Sequence, residues 1–203
     1  MVAATSLFPL QAPRAEDEQR ILLSNVTWAA YETLRDSIES AAVRMTYLEG
    51  WLEIMSSSRG HEVTKTQIAR LLELFCLERD IPLFGYGSTT FRKKEKQRGL
   101  EADECYARGE DKPIPDFALE VVATRGSLDK LEVYRGLGIR EVWVFVAGTF
   151  SILTLRGDHY EAIPASEVLP EPEPELSRIA HFAEQPDQHA ALRAFRDELR
   201  RSS

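Results

Sequence analysis

Residues 117–122, FALEVV, constrain this chain more than any other stretch. In an extended chain side chains alternate, so Phe117, Leu119 and Val121 point to one side and Ala118, Glu120 and Val122 to the other. Both sides are apolar apart from Glu120, which makes this a central strand covered on both faces. A carboxylate in such a place is costly unless it is paired or bound to a metal. A structural salt bridge and a metal site are therefore the two readings of Glu120.

The neighbouring sequence bears on that choice. If residues 100–106 and 117–122 form a hairpin centred on Asp111 and Lys112, facing residue numbers sum to 223. Asp103 then lies opposite Glu120, with Cβ atoms roughly 5 Å apart. Two carboxylates at that spacing suit one hard divalent cation, with water and phosphate at its other positions. A slip of one residue would put them on opposite faces. Asp116 shares Glu120's side but sits four residues along the same strand, about 13 Å away. Asp103 is the better partner.

A short amphipathic helix follows. Ser127 is a candidate N-cap, and positions 127, 130, 134 and 137 share one face. Lys130 is thus on the side of Tyr134 and Leu137, which should pack on the sheet. It either snorkels at the rim of the core or turns inward to orient a water and stabilise charge on a phosphate.

The rest of the chain reads as support. Residues 1–20, rich in Ala, Pro and charge, are expected to form a flexible tail, and residues 24–39 a packing helix capped by Thr27. Residues 43–55 alternate in two runs around Glu49 and Gly50, a β-hairpin signal. A loop over 56–60 leads into a helix from about 61 to 79. Its opening His61 and Glu62 resemble a zinc-protease helix, but the second histidine of that motif would fall at Lys65, so that reading fails.

Residues 82–91 read as one strand leading into a basic run containing Arg92, Lys93, Lys94, Lys96 and Arg98. That run is either a solvated hairpin tip or a guide for nucleic-acid phosphates. Strands are expected at 141–146, 151–155 and 159–163, then an acidic Pro-rich linker at 170–175 and a C-terminal helix over 188–200.

Composition narrows the class. The 203 residues fit one domain with extensions, divided into the tail (1–20), a main domain (21–169) and the linker with its C-terminal helix (170–203). A net charge of −8 argues against a pure nucleic-acid-binding module but leaves room for an enzyme with a local basic patch. Cys76 and Cys105 make no disulfide framework and read as reduced core residues. No signal peptide and no membrane span is expected, which points to the cytoplasm.

These pieces, taken in order, resemble the Uma-two family within the PD-(D/E)XK restriction-endonuclease-like superfamily. The match is carried by Trp-Ala-Ala-Tyr at 28–31, Tyr-Leu-Glu-Gly-Trp-Leu-Glu-Ile-Met-Ser at 47–56, His-Glu at 61–62 and Gly-Ser-Thr-Thr-Phe-Arg at 87–92. It continues through Gly-Leu-Glu-Ala-Asp-Glu-Cys-Tyr at 99–106, Pro-Asp-Phe-Ala-Leu-Glu-Val-Val at 115–122, Asp-Lys-Leu with Tyr134, and Leu-Gly-Ile-Arg-Glu-Val-Trp at 137–143.

The resemblance implies an α/β (α+β) fold: a restriction-endonuclease-like core of mixed β-sheet flanked by helices, with an N-terminal helix and β-hairpin. It implies a Mg²⁺- or Mn²⁺-dependent endonuclease acting on DNA, with Asp103 and Glu120 as metal ligands and Lys130 completing the catalytic set. The superfamily's usual lysine slot, two residues after Glu120, holds Val122, so Lys130 is its replacement. Glu49 and His61 align with polar positions near the family's site. Ala102 and Ser57 stand where prolines are usual. Nucleases of this fold often work as dimers, so a homodimer is an expectation by analogy. The alternative is a catalytically silent nuclease-fold module that binds nucleic acid or protein.

Overall fold

A computed structural model describes residues 18–38, 40, 42–122, 128–169 and 175–202. Two sheets meet at the stretch that carries Asp103. The first is antiparallel, built from β1 (Gln19–Leu23), β2 (Val43–Leu48), β3 (Trp51–Ser56), β5 (Thr90–Lys93) and β6 (Arg98–Glu101), in the order β1-β3-β2-β6-β5. The second contains β4 (Leu83–Gly85), β7 (Glu104–Arg108), β8 (Phe117–Val121), β9 (Glu141–Val146), β10 (Thr149–Arg156) and β11 (His159–Ile163), in the order β11-β10-β9-β8-β7-β4. Among the described residues β8 and β9 are the one parallel pair, and the helix α3 (Lys130–Leu137) lies between them in the chain. The other helices are α1 (Trp28–Ser37), α2 (Arg59–Glu78), α4 (Leu176–Ala183) and α5 (Gln188–Arg201).

The apolar alternation of β8 sorts the layers as its sequence requires. Phe117, Leu119 and Val121 join Trp143 and Phe145 in a core closed by α2, α4 and α5. Phe117 stacks between Tyr106 and Trp143, with ring centroids 5.2 and 4.6 Å away. Each such fully buried large side chain contributes roughly 1.5–3 kcal/mol. On the opposite face, Ala118 packs with Leu100, Tyr134 and Leu137, from β6 and α3. A third cluster, Trp28, Tyr31, Met45, Tyr47 and Leu52, binds α1 to the first sheet. It leaves room only for glycine at position 99, where a Cβ would meet the Tyr31 hydroxyl at 2.5 Å.

The turn between β2 and β3 falls where expected, with both Glu49 (φ 46°) and Gly50 (φ 91°) in left-handed backbone, the pattern of a two-residue hairpin turn. Thr27 caps α1 through the Ala30 amide. Cys76 and Cys105 are buried free thiols, and burial pushes both up to about 12.

Several boundaries differ from the sequence reading. The span 82–91 is two strands in different sheets, β4 and β5, parted at Gly87, whose φ of 60° breaks extension. The strand expected over 100–106 is likewise split: the chain leaves the first sheet after Glu101 and enters the second at Glu104, with Ala102 and Asp103 at the crossing. Gln19 and Arg20 belong to β1 rather than to the tail, and α4 was not anticipated. α3 is capped by Asp129, which accepts from the Leu131 and Glu132 amides; Ser127, the expected cap, lies outside the described residues. Residues 1–17, Glu39 and 170–174 of the acidic linker lie outside them too. No helix of the described residues is long and apolar enough to cross a membrane.

Candidate functional site

The hairpin register is the one that the sum of 223 requires: Glu104 pairs with Leu119, Cys105 with Ala118 and Tyr106 with Phe117. Asp103, one residue beyond the ladder, turns toward β8 and accepts from the Val121 backbone N–H at 2.8 Å through Oδ2. Its Oδ1 lies 3.0 Å from His61 Nε2 and 3.3 Å from Arg44 Nε. A carboxylate only accepts, so Nε2 carries the proton in that contact. Asp103 is 0% exposed. Burial by itself would raise its carboxyl, but the His61 hydrogen bond and the charges of Lys130, His61 and Arg44 hold it well below the usual carboxylate range.

Glu120 faces the same centre, 4% exposed, from the α3 side of β8. Lys130 Nζ donates to Oε2 at 2.6 Å, and the Tyr134 hydroxyl donates to Oε1. Lys130 and Tyr134 are four residues apart on α3, so one helix face grips both oxygens of one carboxylate. Burial raises the Glu120 carboxyl, and the Asp103 charge raises it further, against the opposing pull of Lys130. Lys130 moves the opposite way to a lone buried amine: burial lowers it, but Glu120 and Asp103 together carry it above its ordinary value. The charges of the two carboxylates and the lysine thus act on one another.

His61 stands in the first turn of α2, whose N-cap, Ser58, accepts from the His61 amide. Its Nδ1 lies 3.4 Å from Glu18 Oε2. Burial would lower the imidazole, but the hydrogen bond to Asp103 and the charges of Asp103, Glu18 and Glu62 raise it.

Other residues at this centre escaped the sequence reading. Arg44, buried in β2, donates to the Ala102 carbonyl at 3.2 Å and to Glu62 at 3.1 Å while its Nε faces Asp103. It thereby ties the sheet-to-sheet crossing to α2. Lys65 continues the chain, 2.8 Å from Glu62. Arg20 of β1 pairs with Glu53 of β3 at 2.7 Å and reaches Glu18. A usable signal existed: Arg44 and Glu53 are charged residues inside apolar strands, the same anomaly that singled out Glu120. Tyr134 was placed on the inward helix face but given no role.

Other expected residues are elsewhere. Glu49 sits at the β2–β3 turn and pairs with Arg98 at 2.9 Å. In the basic run, Arg98 is therefore occupied, and Arg92 pairs with Asp36 at 2.9 Å. Lys94 and Lys96 are exposed in the single 3₁₀ turn at the hairpin tip. Arg98 lies five residues before Asp103, at most about 16 Å along the chain. The run stands on the β5–β6 hairpin, before the crossing that carries Asp103.

Beside Glu120 opens a cleft of about 480 Å³, bordered by Arg20, His61, Lys130 and Tyr134 and by apolar residues of β9, β10 and α3. Glu120 lines this cleft and feels the charge of the buried Asp103, and carboxylate oxygens suit a hard divalent cation in kind. Among the described residues no three His, Cys, Asp or Glu side chains are grouped to hold a metal. A cation would therefore have two carboxylates, and oxygens from outside the side chains, to bind.

With this geometry in hand, comparison identifies the family. The chain matches Uma2, described as "Putative restriction endonuclease", over residues 28–181, and it belongs to that family. No curated protein matches it.

Proposed function

From membership of the Uma2 family, we propose that this chain is a Mg²⁺- or Mn²⁺-dependent DNA endonuclease that hydrolyses phosphodiester bonds at Asp103, Glu120 and Lys130. The observation that supports the reading is a pair of buried carboxylates, Asp103 and Glu120, whose charges act on each other, with Lys130 Nζ 2.6 Å from Glu120. Asp103 and Glu120 would hold the ion, which supplies Lewis acidity to polarise the phosphate and acidify a water. Asp103 is kept anionic by His61 and Arg44, whose contacts also fix its orientation. Lys130 is the mobile cation: released from Glu120, it can neutralise charge that grows on the phosphate oxygens. The cytoplasmic location and the homodimer belong to the same proposal, since one centre cuts one strand.

Supercoiled plasmid incubated with the protein and Mg²⁺ or Mn²⁺ should be nicked, and Asp103→Asn or Glu120→Gln protein should leave it intact. Nicking that survives both substitutions would remove Asp103 and Glu120 from the chemistry.

One observation favours a second reading, a silent nuclease-fold module that binds nucleic acid or protein. The Glu120 oxygens and Asp103 Oδ1 and Oδ2 are all engaged by protein donors. Calorimetric titration separates the two, because a silent module takes up no Mg²⁺ or Mn²⁺ in the millimolar range.

A further inference from the structure

The cleft beside Glu120 has more in it than a phosphate needs. Its charged lining is the centre already described, and the remainder is mainly apolar, with Met55 from β3, Val142 and Val144 from β9, Leu153 from β10 and Leu131 from α3. Val144 and Leu153 are half-buried residues on the Glu120 face of the second sheet. Helix α3 has eight residues, a length of about 12 Å. It packs against β6, β2, β5 and β11, and its Val133, Tyr134 and Leu137 share a core with Val142. Val144 and Leu153 are left half-buried beside it, as a wall of the cleft. A wall that served phosphate alone would present N–H groups and cations.

The carboxylates are also deep. Asp103 is 0% and Glu120 4% exposed. An intact duplex is a stiff rod whose base faces are stacked and whose base edges are polar. Beyond scattered thymine methyl groups it has no apolar face to lay on Val144 and Leu153, and its backbone cannot bend locally into a cleft of about 480 Å³. An unpaired nucleotide has both the flexibility and the exposed base face, and unstacking it costs least where no pairing is lost. The cleft volume falls in the range of roughly 300–1,000 Å³ in which small organic ligands are held.

We infer that this site takes an unpaired nucleotide, its base against the Val144–Leu153 wall and its phosphate at Glu120 and Lys130, so that the substrate is DNA with a gap, bulge or single-stranded segment. The inference rests on the nuclease reading of the same centre. It explains why the charged centre and the apolar wall share one cleft, and why the exposed lysines of the β5–β6 tip stand apart from it.

The test uses full-length protein and fluorescent DNA dumbbells whose ends are closed by hexaethylene glycol linkers, which leave neither frayed termini nor unpaired loop nucleotides. One is fully paired; the other has the same sequence with a two-nucleotide single-stranded gap. Fluorescence polarisation in Ca²⁺ should show at least tenfold tighter binding of the gapped form. Leu153→Gln and Val144→Gln should each erase most of that preference while the melting temperature stays near wild type. Should a polar variant fail to fold, Val144→Phe, which fills the cleft with apolar bulk, carries the same comparison.

Equal affinity for the two dumbbells, no binding of either, or a preference that survives in the folded variants overturns the inference. The nuclease reading is judged separately in Mg²⁺ or Mn²⁺. If neither the dumbbells nor plasmid is cut, that reading falls while the polarisation result still decides the binding preference. Cutting of the paired dumbbell as fast as the gapped one sinks the inference and spares the nuclease.

Discussion

Glu120 and Glu141 are two buried glutamates on adjacent strands, and they are held in opposite ways. Glu141, at the start of β9, accepts from Trp143 Nε1 (2.9 Å), Ser166 Oγ (2.7 Å) and the backbone amides of Glu167 (2.7 Å) and Val168 (3.0 Å). Every one of those donors is neutral, and two belong to the backbone. Glu120 is gripped by the side chains of Lys130 and Tyr134 at the edge of a cleft. Backbone donors cannot leave without unfolding a loop, whereas a lysine and a tyrosine can swing away. The first arrangement pins the 166–168 segment to the sheet. The second keeps a carboxylate ionisable yet available to an incoming ligand.

Substitution should separate the two most sharply in activity. Glu120→Gln is expected to cut Mn²⁺-dependent nicking by at least about 10²–10³-fold, the scale of losing a group aimed at transition-state charge. Its melting temperature should stay within a few degrees of wild type. Glu141→Ala should do the reverse. It removes the acceptor of four donors, of which the Val168 amide keeps Ser166 Oγ and the Glu167 amide is partly exposed, so that two to three are stranded at roughly 1–3 kcal/mol each, for a loss of about 3–5 kcal/mol. Denaturant melts would read that loss directly, and activity per folded molecule should be unchanged.

Tyr134→Phe sharpens the contrast at smaller scale. It removes one of the two grips on Glu120 without altering the ring's packing, and an effect of about 1–2 kcal/mol is expected, near tenfold in rate. If it cost as much stability as Glu141→Ala, Tyr134 would be a structural clamp like those around Glu141, and the distinction would collapse.

The smallest effect is in the pH dependence of stability. The folded-state pKa of His61 lies above its unfolded value of 6.5. Its contribution is therefore fully present below about pH 6.5 and lost as pH rises through the folded value. Asp103 works in the other direction: its folded pKa lies below 3.8, so its contribution is present above that and lost as pH falls through the folded value. Urea midpoints of wild type and His61→Gln should converge as pH rises above 6.5, and those of wild type and Asp103→Asn as pH falls from 3.8 towards 2.

Much of this was legible in the residues, for reasons that can be named. The alternation of FALEVV marks β8 as a strand covered on both sides, and a hairpin centred on Asp111 and Lys112 gives the register against β7 that is observed. Helix phase placed Lys130 and Tyr134 on the inward face. What was hidden depends on contacts far apart in sequence. Arg44 meets Asp103 only because β2 pairs with β6 and the chain crosses between sheets at Ala102. Nothing local marks that crossing: residues 100–106 read as one continuous strand, and only the assembled sheets show where the chain changes layer. Glu49 and Glu53 present the same ambiguity, since pattern alone does not say that the turn glutamate would pair with Arg98 and the strand glutamate with Arg20.

The most direct test of the whole account is calorimetric titration of Mn²⁺ into three proteins: wild type, Glu120→Gln and Glu141→Gln. The account predicts one millimolar-or-tighter site per chain in wild type, the same site in folded Glu141→Gln, and none in Glu120→Gln. Binding by Glu120→Gln equal to wild type would show that the ion, and with it the chemistry, lies elsewhere.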